Sequence, residues 1–277
     1  MRIICLVENT ACGELACAHG LSLYIETPNH KILFDAGPKG DLLLSNADKL
    51  GIDLKEIDIA ILSHGHYDHA GGLLSFLGLN SKAKLYIHNH AANKGHYATE
   101  NVGWRNIGID NSILENFSER IVLTHERYEI DNELLLFSDI KSQNYISNSN
   151  SSLFEEDKGE YYLDPFNHEQ NLIINDNDKV YLIAGCAHRG IYNIISRAHE
   201  ICGRAPSYVV SGFHLTNPGL GIDLPEEFVR SLGKELNKFP CRYLTGHCTG
   251  KNPYSWLKDE LKDSIDYLHG GKDIKLS

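Results

Sequence analysis

The sequence predicts an α/β fold in four layers, αββα, with two stacked sheets inside and helices on their outer faces. Two observations lead there. Short apolar or alternating runs rich in Ile, Val, Leu and Tyr recur along both halves of the chain, and helical patterns fall between them. The chain's 277 residues, 42% of them hydrophobic, are also enough to bury the large core such layers need.

Strand patterns lie at residues 2–7, 21–26, 31–34, 57–62 and 84–87, then at 134–137, 172–174, 180–184, 208–210 and 242–244, so the two halves look alike in plan. Helical patterns occupy 41–50, 68–77, 191–201, 225–238 and 254–268. Pro225 suits a first helical turn, and Leu257, Leu261, Ile265 and Leu268 fall on one stripe. Two stretches break the plan. Residues 89–119 are rich in His, Asn, Gly and Tyr, and 138–164 carry a Ser/Asn run from Ser147 to Ser152 followed by Glu155, Glu156 and Asp157. Polar tracts of this kind bury too little apolar surface to fix one conformation. Within a single domain spanning 1–277, residues 89–165 are therefore expected to be irregular loops, either a solvated excursion or a cover over the site.

Composition narrows the function. The longest apolar runs fall far short of the ~20 residues of a membrane span, so no membrane association is expected. The N-terminus reads as a first strand interrupted by Glu8, which makes the cytoplasm the expected location. Seven cysteines form no even framework, and reduced thiols are expected. A formal charge of −11 disfavours sequence-independent nucleic-acid binding, which needs Lys and Arg to replace phosphate counterions. A small ligand is favoured instead, and a local anion pocket stays compatible with that charge because metal ions reverse the field inside a cleft.

The chemistry-bearing residues come in a dense group. His64, His66, Asp68 and His69 follow a strand pattern and precede a helical one, so a strand-to-helix loop delivers them together. Neutral imidazole and carboxylate are ligands that zinc and similar ions prefer, and Gly65 lets neighbouring residues face two adjacent ions. Three later histidines, His188, His214 and His247, each stand just past a strand pattern beside glycine or a tight turn.

The order of these motifs resembles the metallo-β-lactamase superfamily over nearly the whole chain. The resemblance implies the metallo-β-lactamase fold and two metal ions: His64, His66 and His188 would hold one, and Asp68, His69 and His247 the other. Asp35, in the stretch Leu33 to Gly37, would orient a ligand histidine from behind. The fourth motif departs from the family, since the stretch Ser211 to Leu215 offers no aspartate to bridge the metals. Three readings of His214 stand open: a substitute ligand, a substrate contact, or a structural histidine. Finer features, among them His19-Gly20-Leu21-Ser22, Asp164 to Gln170, Gly185-Cys186-Ala187-His188 and Thr245 to Gly250, resemble the branch that contains 7,8-dihydropterin-6-yl-methyl-4-(β-D-ribofuranosyl)aminobenzene 5'-phosphate synthase.

The expected activity is metal-dependent hydrolysis of an ester or phosphoester in a small anionic metabolite, with Asp68 and His214 as catalytic candidates. Zinc is the first choice of metal, with manganese or iron accepted by the same ligands. Arg189, Lys251, His168 and Glu169 are candidates for holding substrate, with Arg105 and Lys94 as further basic residues, although a lone surface cation is more often simply solvated. Cys186 and Cys248 flank ligand histidines, and small thiols packed beneath the site are a plainer reading than thiolate ligands. Two alternatives remain: a synthase-like transfer at a dihydropterin carbon, and a non-catalytic ligand sensor that keeps the fold.

Overall fold

The computed structural model describes residues 1–100, 103–176, 178–217 and 219–276. Among them, two seven-stranded sheets repeat one plan. In the first the spatial order is Asp273–Lys275, Arg2–Val7, Ser22–Glu26, Lys31–Phe34, Ile59–Ile61, Lys84–His88 and Ile121–Thr124. Its first three pairings are antiparallel and its last three parallel. The second runs Arg127–Glu129, Leu134–Phe137, Asn171–Asp176, Lys179–Ile183, Tyr208–Gly212, Arg242–Gly246 and Ile265–Tyr267, with the same three antiparallel and three parallel steps.

Three separate cores explain why the strands read as continuous apolar runs rather than as alternations: both faces of each sheet are covered. Ile3, Cys5, Leu23, Ile25, Phe34 and Ile61 meet Leu136, Leu172, Ile174, Ile183 and Val210 between the sheets. On the outer face of the first sheet, Ile4, Leu6, Leu33 and Leu85 pack against Leu43 and Ala47 of helix Gly40–Lys49 and Leu73, Phe76 and Leu77 of helix Leu73–Leu79. On the outer face of the second, Leu182, Val209 and Tyr243 meet helices Ile191–Cys202, Glu226–Leu236 and Lys251–Leu261. These layers are the αββα sandwich expected from the sequence. Each fully buried Leu or Ile contributes ~1.5–3 kcal/mol. No described helix is long and apolar enough to cross a membrane.

Three expectations change. The helix foreseen at 68–77 is split into Tyr67–Ala70 and Leu73–Leu79, because Gly71 and Gly72 lie against other backbone. A Cβ on Gly71 would stand 2.1 Å from the Pro38 carbonyl, and one on Gly72 2.2 Å from that of Ala36. The helix foreseen at 254–268 ends at Leu261; Lys262 takes a positive φ, and Ile265 joins the second sheet beside Tyr243. The third change concerns 89–165, which is not a structureless excursion. Strands Glu160–Leu163, Leu153–Asp157, Gly95–Glu100 and Gly103–Asn106 form a small four-stranded sheet. Aromatic contacts across one face of the sheet supply what polar composition hid: Trp104 packs on Tyr161 with ring centroids 4.6 Å apart and on Phe154 at 4.8 Å.

Candidate metal centre

Every candidate ligand sits just past the carboxyl end of a parallel strand, the usual place for a site in such sheets. Asp35 follows Lys31–Phe34, the loop His64 to His69 follows Ile59–Ile61, His188 follows Lys179–Ile183, and His214 and His247 follow Tyr208–Gly212 and Arg242–Gly246. Asp35, Ala187, His214 and His247 all have positive φ. Such conformations cost ~1–3 kcal/mol each and persist only where the surroundings hold them.

The holding is done by hydrogen bonds that fix which ring nitrogen is bare. Asp35 is fully buried; its Oδ1 accepts from the Ser63 backbone N–H at 2.7 Å, and its Oδ2 from Ser63 Oγ at 2.8 Å and His69 Nδ1 at 2.6 Å. Because Ser63 gives its only proton to the carboxylate, its oxygen accepts from His64 Nδ1 at 2.8 Å. His188 Nδ1 lies 3.0 Å from Asn150 Oδ1, and His247 Nδ1 lies 2.9 Å from Asn9 Oδ1. With four Nδ1 atoms donating, four Nε2 lone pairs face the site. Three of them, on His64, His188 and His247, are buried without a hydrogen-bond partner, as is Nε2 of His66. Buried polar atoms are rarely left so, and each calls for an explanation.

A cation explains them. The ligand atoms of His64, His66 and His188 lie within 4.8 Å of one another. Asp68 Oδ2 is 3.6 Å from His69 Nε2 and 3.5 Å from His247 Nε2. Two ligands on one tetrahedral zinc stand roughly 3.5 Å apart, given bond lengths of about 2.0–2.3 Å. The two sets adjoin, with the His64 and His69 rings 4.2 Å apart. Electrostatics agree with this donor set. Burial, followed by the neighbouring imidazoles, pushes His64, His66 and His188 well below the usual histidine range, which keeps them neutral. Burial would raise Asp68, but His69, His19 and His247 outweigh it and hold the carboxyl well below its usual range.

The substrate candidates fall elsewhere than expected. The cavity over the site, about 450 Å³, is not lined by Arg189, Lys251, His168 or Glu169. Arg189 spends its guanidinium on the carbonyls of Pro165 at 2.7 Å and Ile140 and on Asn167 Oδ1 at 3.3 Å. Lys251 is exposed at the start of its helix. Glu169, fully buried, receives the backbone N–H groups of His188 at 2.7 Å and Arg189 at 2.9 Å, so it shapes the His188 loop. His168 accepts from the Gly65 N–H at 3.0 Å and leans on Asp164 at 3.0 Å, shaping the His64 to His66 loop. Lys94 is paired with Glu155 and Asp157.

The cationic wall is Arg105, whose guanidinium lies 5.4 Å from the Tyr67 ring centre, both lining the cavity. Ala98, Ser149, Ser152 and Leu153 line it too, so the 89–165 excursion supplies a wall of the site. His214 also lines it, buried, with both ring nitrogens unpartnered and its ring 4.1 Å from that of His188. Sequence reasoning missed His19, whose Nε2 is 3.3 Å from Asp68 Oδ2; its motif was visible, but without a partner in view.

Comparisons with known proteins give the same family as the geometry. The model of the metallo-β-lactamase superfamily matches residues 16–198. A 7,8-dihydropterin-6-methyl-4-(β-D-ribofuranosyl)-aminobenzene-5'-phosphate synthase from Methanocaldococcus jannaschii is 31% identical over 271 residues, covering 93% of this chain and 90% of its own. An uncharacterized protein of the same organism is 29% identical over 277 residues, covering 97% and 98%. Among solved structures, a protein described as a metal-dependent hydrolase of the β-lactamase superfamily superposes with a TM-score of 0.83 at 29% identity, covering 100% of this chain and 99% of its own. With the histidine-rich loop, the paired sheets and the family match over most of its length, the chain belongs to the metallo-β-lactamase superfamily.

Proposed function

We propose that this chain is a metal-dependent hydrolase of a small anionic metabolite, acting on an ester or phosphoester with two divalent ions, zinc first among them. The observation that carries the reading is the convergence, beside the Asp68 carboxylate, of four Nε2 atoms that have no hydrogen-bond partner. His66, Asp68, His188 and His247 line the cavity, and His64 is fully buried beside them. When bound, such ions lower the pKa of water towards ~7 and polarise a carbonyl or phosphoryl oxygen. The chain's own residues supply the rest. Asp68 accepts a hydrogen bond from the attacking water and keeps it in line, while His214 is placed on the wall to donate to the departing oxygen. Arg105 attracts the anionic end of the substrate. The cavity volume suits a metabolite-sized ligand.

The test is metal analysis of protein purified without added metal, then assays on phosphomonoesters, phosphodiesters and thioesters before and after chelation. Turnover lost on chelation and restored by zinc, manganese or iron supports the reading. Full activity after thorough chelation overturns it.

A second reading, transfer at a dihydropterin carbon with loss of a phosphate-bearing leaving group, is favoured by the 31% identity to the Methanocaldococcus jannaschii synthase. In that case the metals would anchor phosphate. Incubation with such a dihydropterin and a ribofuranosylaminobenzene phosphate separates the two readings by whether a coupled product or only a hydrolysed one accumulates.

A further inference from the structure

We infer that Cys186 is a metal ligand and that its sulfur bridges the two ions, in the role left vacant by the missing carboxylate of the fourth motif. The inference deepens the metal-dependent reading above and rests on it.

Geometry carries the argument. The Cys186 sulfur belongs to three clusters of ligand atoms lying within 4.8 Å of one another: one with His64 and His69, one with His188 and His214, and one with His247 and Cys248. His64 and His188 belong to the first ligand set, and His69 and His247 to the second. One atom therefore reaches both sets. It is 3.2 Å from His69 Nε2, near the roughly 3.5 Å expected for two ligands on one tetrahedral ion. Cys186 is 3% exposed, and what exposure it has is onto the cavity.

A separate observation accounts for the absence of a carboxylate at Gly212 in the fourth motif. The strand Tyr208–Gly212 delivers a glycine at the site, and a Cβ there would lie 2.6 Å from Cys248 Sγ and 3.3 Å from the Gly185 carbonyl. A carboxylate could project from that point only by displacing the Cys248 thiol. The space is filled by the Cys248 thiol, whose Sγ is 3.4 Å from the Cys186 carbonyl and accepts from the His214 N–H at 3.2 Å. Cys248 also lines the cavity, but its sulfur is grouped with His247 and Cys186, whereas Cys186 is grouped with histidines of both ligand sets.

Coordination forms two metal–sulfur bonds, breaks the S–H bond and releases one proton to solvent for each centre assembled. A thiolate bridge also biases the centre towards zinc or iron over manganese or magnesium, because sulfur is a soft ligand.

Cobalt(II) titration of the whole protein tests this without any assay of turnover. The expected result is two equivalents bound, with a thiolate-to-cobalt charge-transfer band in the near ultraviolet that keeps growing through the second equivalent. Cys186→Ser should lose the band and bind the weaker ion at least tenfold less tightly, whereas Cys248→Ser should keep the band. Because Cys186→Ser could fail to fold, the wild-type titration also decides by itself. Two equivalents bound with no sulfur band, or a band that saturates at one equivalent, overturns the bridge and leaves the metal-dependent reading standing. Failure to bind cobalt at all overturns both. A band lost in Cys248→Ser but retained in Cys186→Ser assigns the sulfur to the wrong residue and also overturns the proposal.

Discussion

Replacing Asp35 by asparagine should disable both ligand sets through a single proton relay. The carboxylate Oδ2 receives two protons, from His69 Nδ1 at 2.6 Å and Ser63 Oγ at 2.8 Å, while Oδ1 receives the Ser63 N–H. An amide oxygen would stay with the backbone N–H, which puts the NH₂ group where Oδ2 was. That group donates, so His69 must turn its Nδ1 into an acceptor and move its proton to Nε2. Ser63 Oγ must likewise accept from the amide and donate to His64 Nδ1, forcing the His64 proton to Nε2 as well. One atom change thus blocks the metal-binding lone pair of a histidine in each set. Loss of a single such supporting partner typically costs 10–100-fold in metal affinity, or ~1.4–2.7 kcal/mol.

Asparagine is the variant of choice because Asp35 sits at φ 58°, where Asn is tolerated far better than most residues. Alanine would also leave three buried donors unpaired at ~1–3 kcal/mol each, a large share of a typical 5–15 kcal/mol stability. Competition with a chromogenic chelator measures each affinity, and circular dichroism checks that the variant is folded. Ser63→Ala separates the arms: it should weaken only the set containing His64. A folded Asp35→Asn protein that binds both ions within threefold of wild type would refute the relay.

Other outcomes follow from the same contacts. Arg105→Ala should raise KM for anionic substrates by ~10- to 150-fold with kcat little changed, since one charge-assisted contact is worth ~1.5–3 kcal/mol; an unchanged KM would remove Arg105 from the substrate wall. Arg189→Ala should instead lower stability by ~2–4 kcal/mol, read as a fall in urea midpoint, because its guanidinium ties Pro165, Asn167 and Ile140 together. On the far side of the molecule, burial would lower His30, but hydrogen bonds to Asp131 at 2.6 Å and Asp58 at 3.3 Å raise it. A raised histidine stabilises fully below its unfolded value of about 6.5, and that stability is lost as pH rises through the folded value. The difference in stability between wild type and His30→Gln, at most ~1 kcal/mol for so exposed a cluster, should therefore shrink between pH 6 and pH 8; a difference that grew with pH would contradict the pairing.

The repeated plan of the sheets was legible because strands covered on both faces leave near-continuous apolar runs such as Ile59–Ile61 and Lys179–Ile183. Ile121–Thr124 carries that mark and was still passed over, but other strands that escaped notice lack it. Gly103–Asn106 and Glu160–Leu163 are exposed along their whole length, and Asp273–Lys275 reaches only partial burial at Ile274. Their pairing is decided by cross-strand neighbours far away in sequence, which no local window contains. The helix overrun beyond Leu261 has the opposite cause: Leu257, Leu261, Ile265 and Leu268 are all buried, but Ile265 enters the second sheet's outer core from the strand Ile265–Tyr267, and Leu268, just past that strand, enters the core between the sheets. Apolar spacing records burial and not the element that achieves it.

At the site, residue type revealed the histidines, but direction decided the roles. Arg189 and Arg105 are equally cationic in sequence, and Arg189 stands beside a candidate ligand whereas Arg105 lies in a polar stretch. The fold reverses that order, because a residue adjacent to a ligand in a tight turn is turned to the opposite side of the loop from it. The same alternation accounts for Cys186. Two residues before His188, with Ala187 at positive φ between them, it comes round to the same side as the histidine. Its thiol and the His188 ring therefore enter one cluster. The intervening Ala187 is in the left-handed conformation, and Glu169, in the loop that precedes Asn171–Asp176, pins the next two backbone N–H groups, so the turn that brings Cys186 and His188 together is fixed by a residue no local window contains.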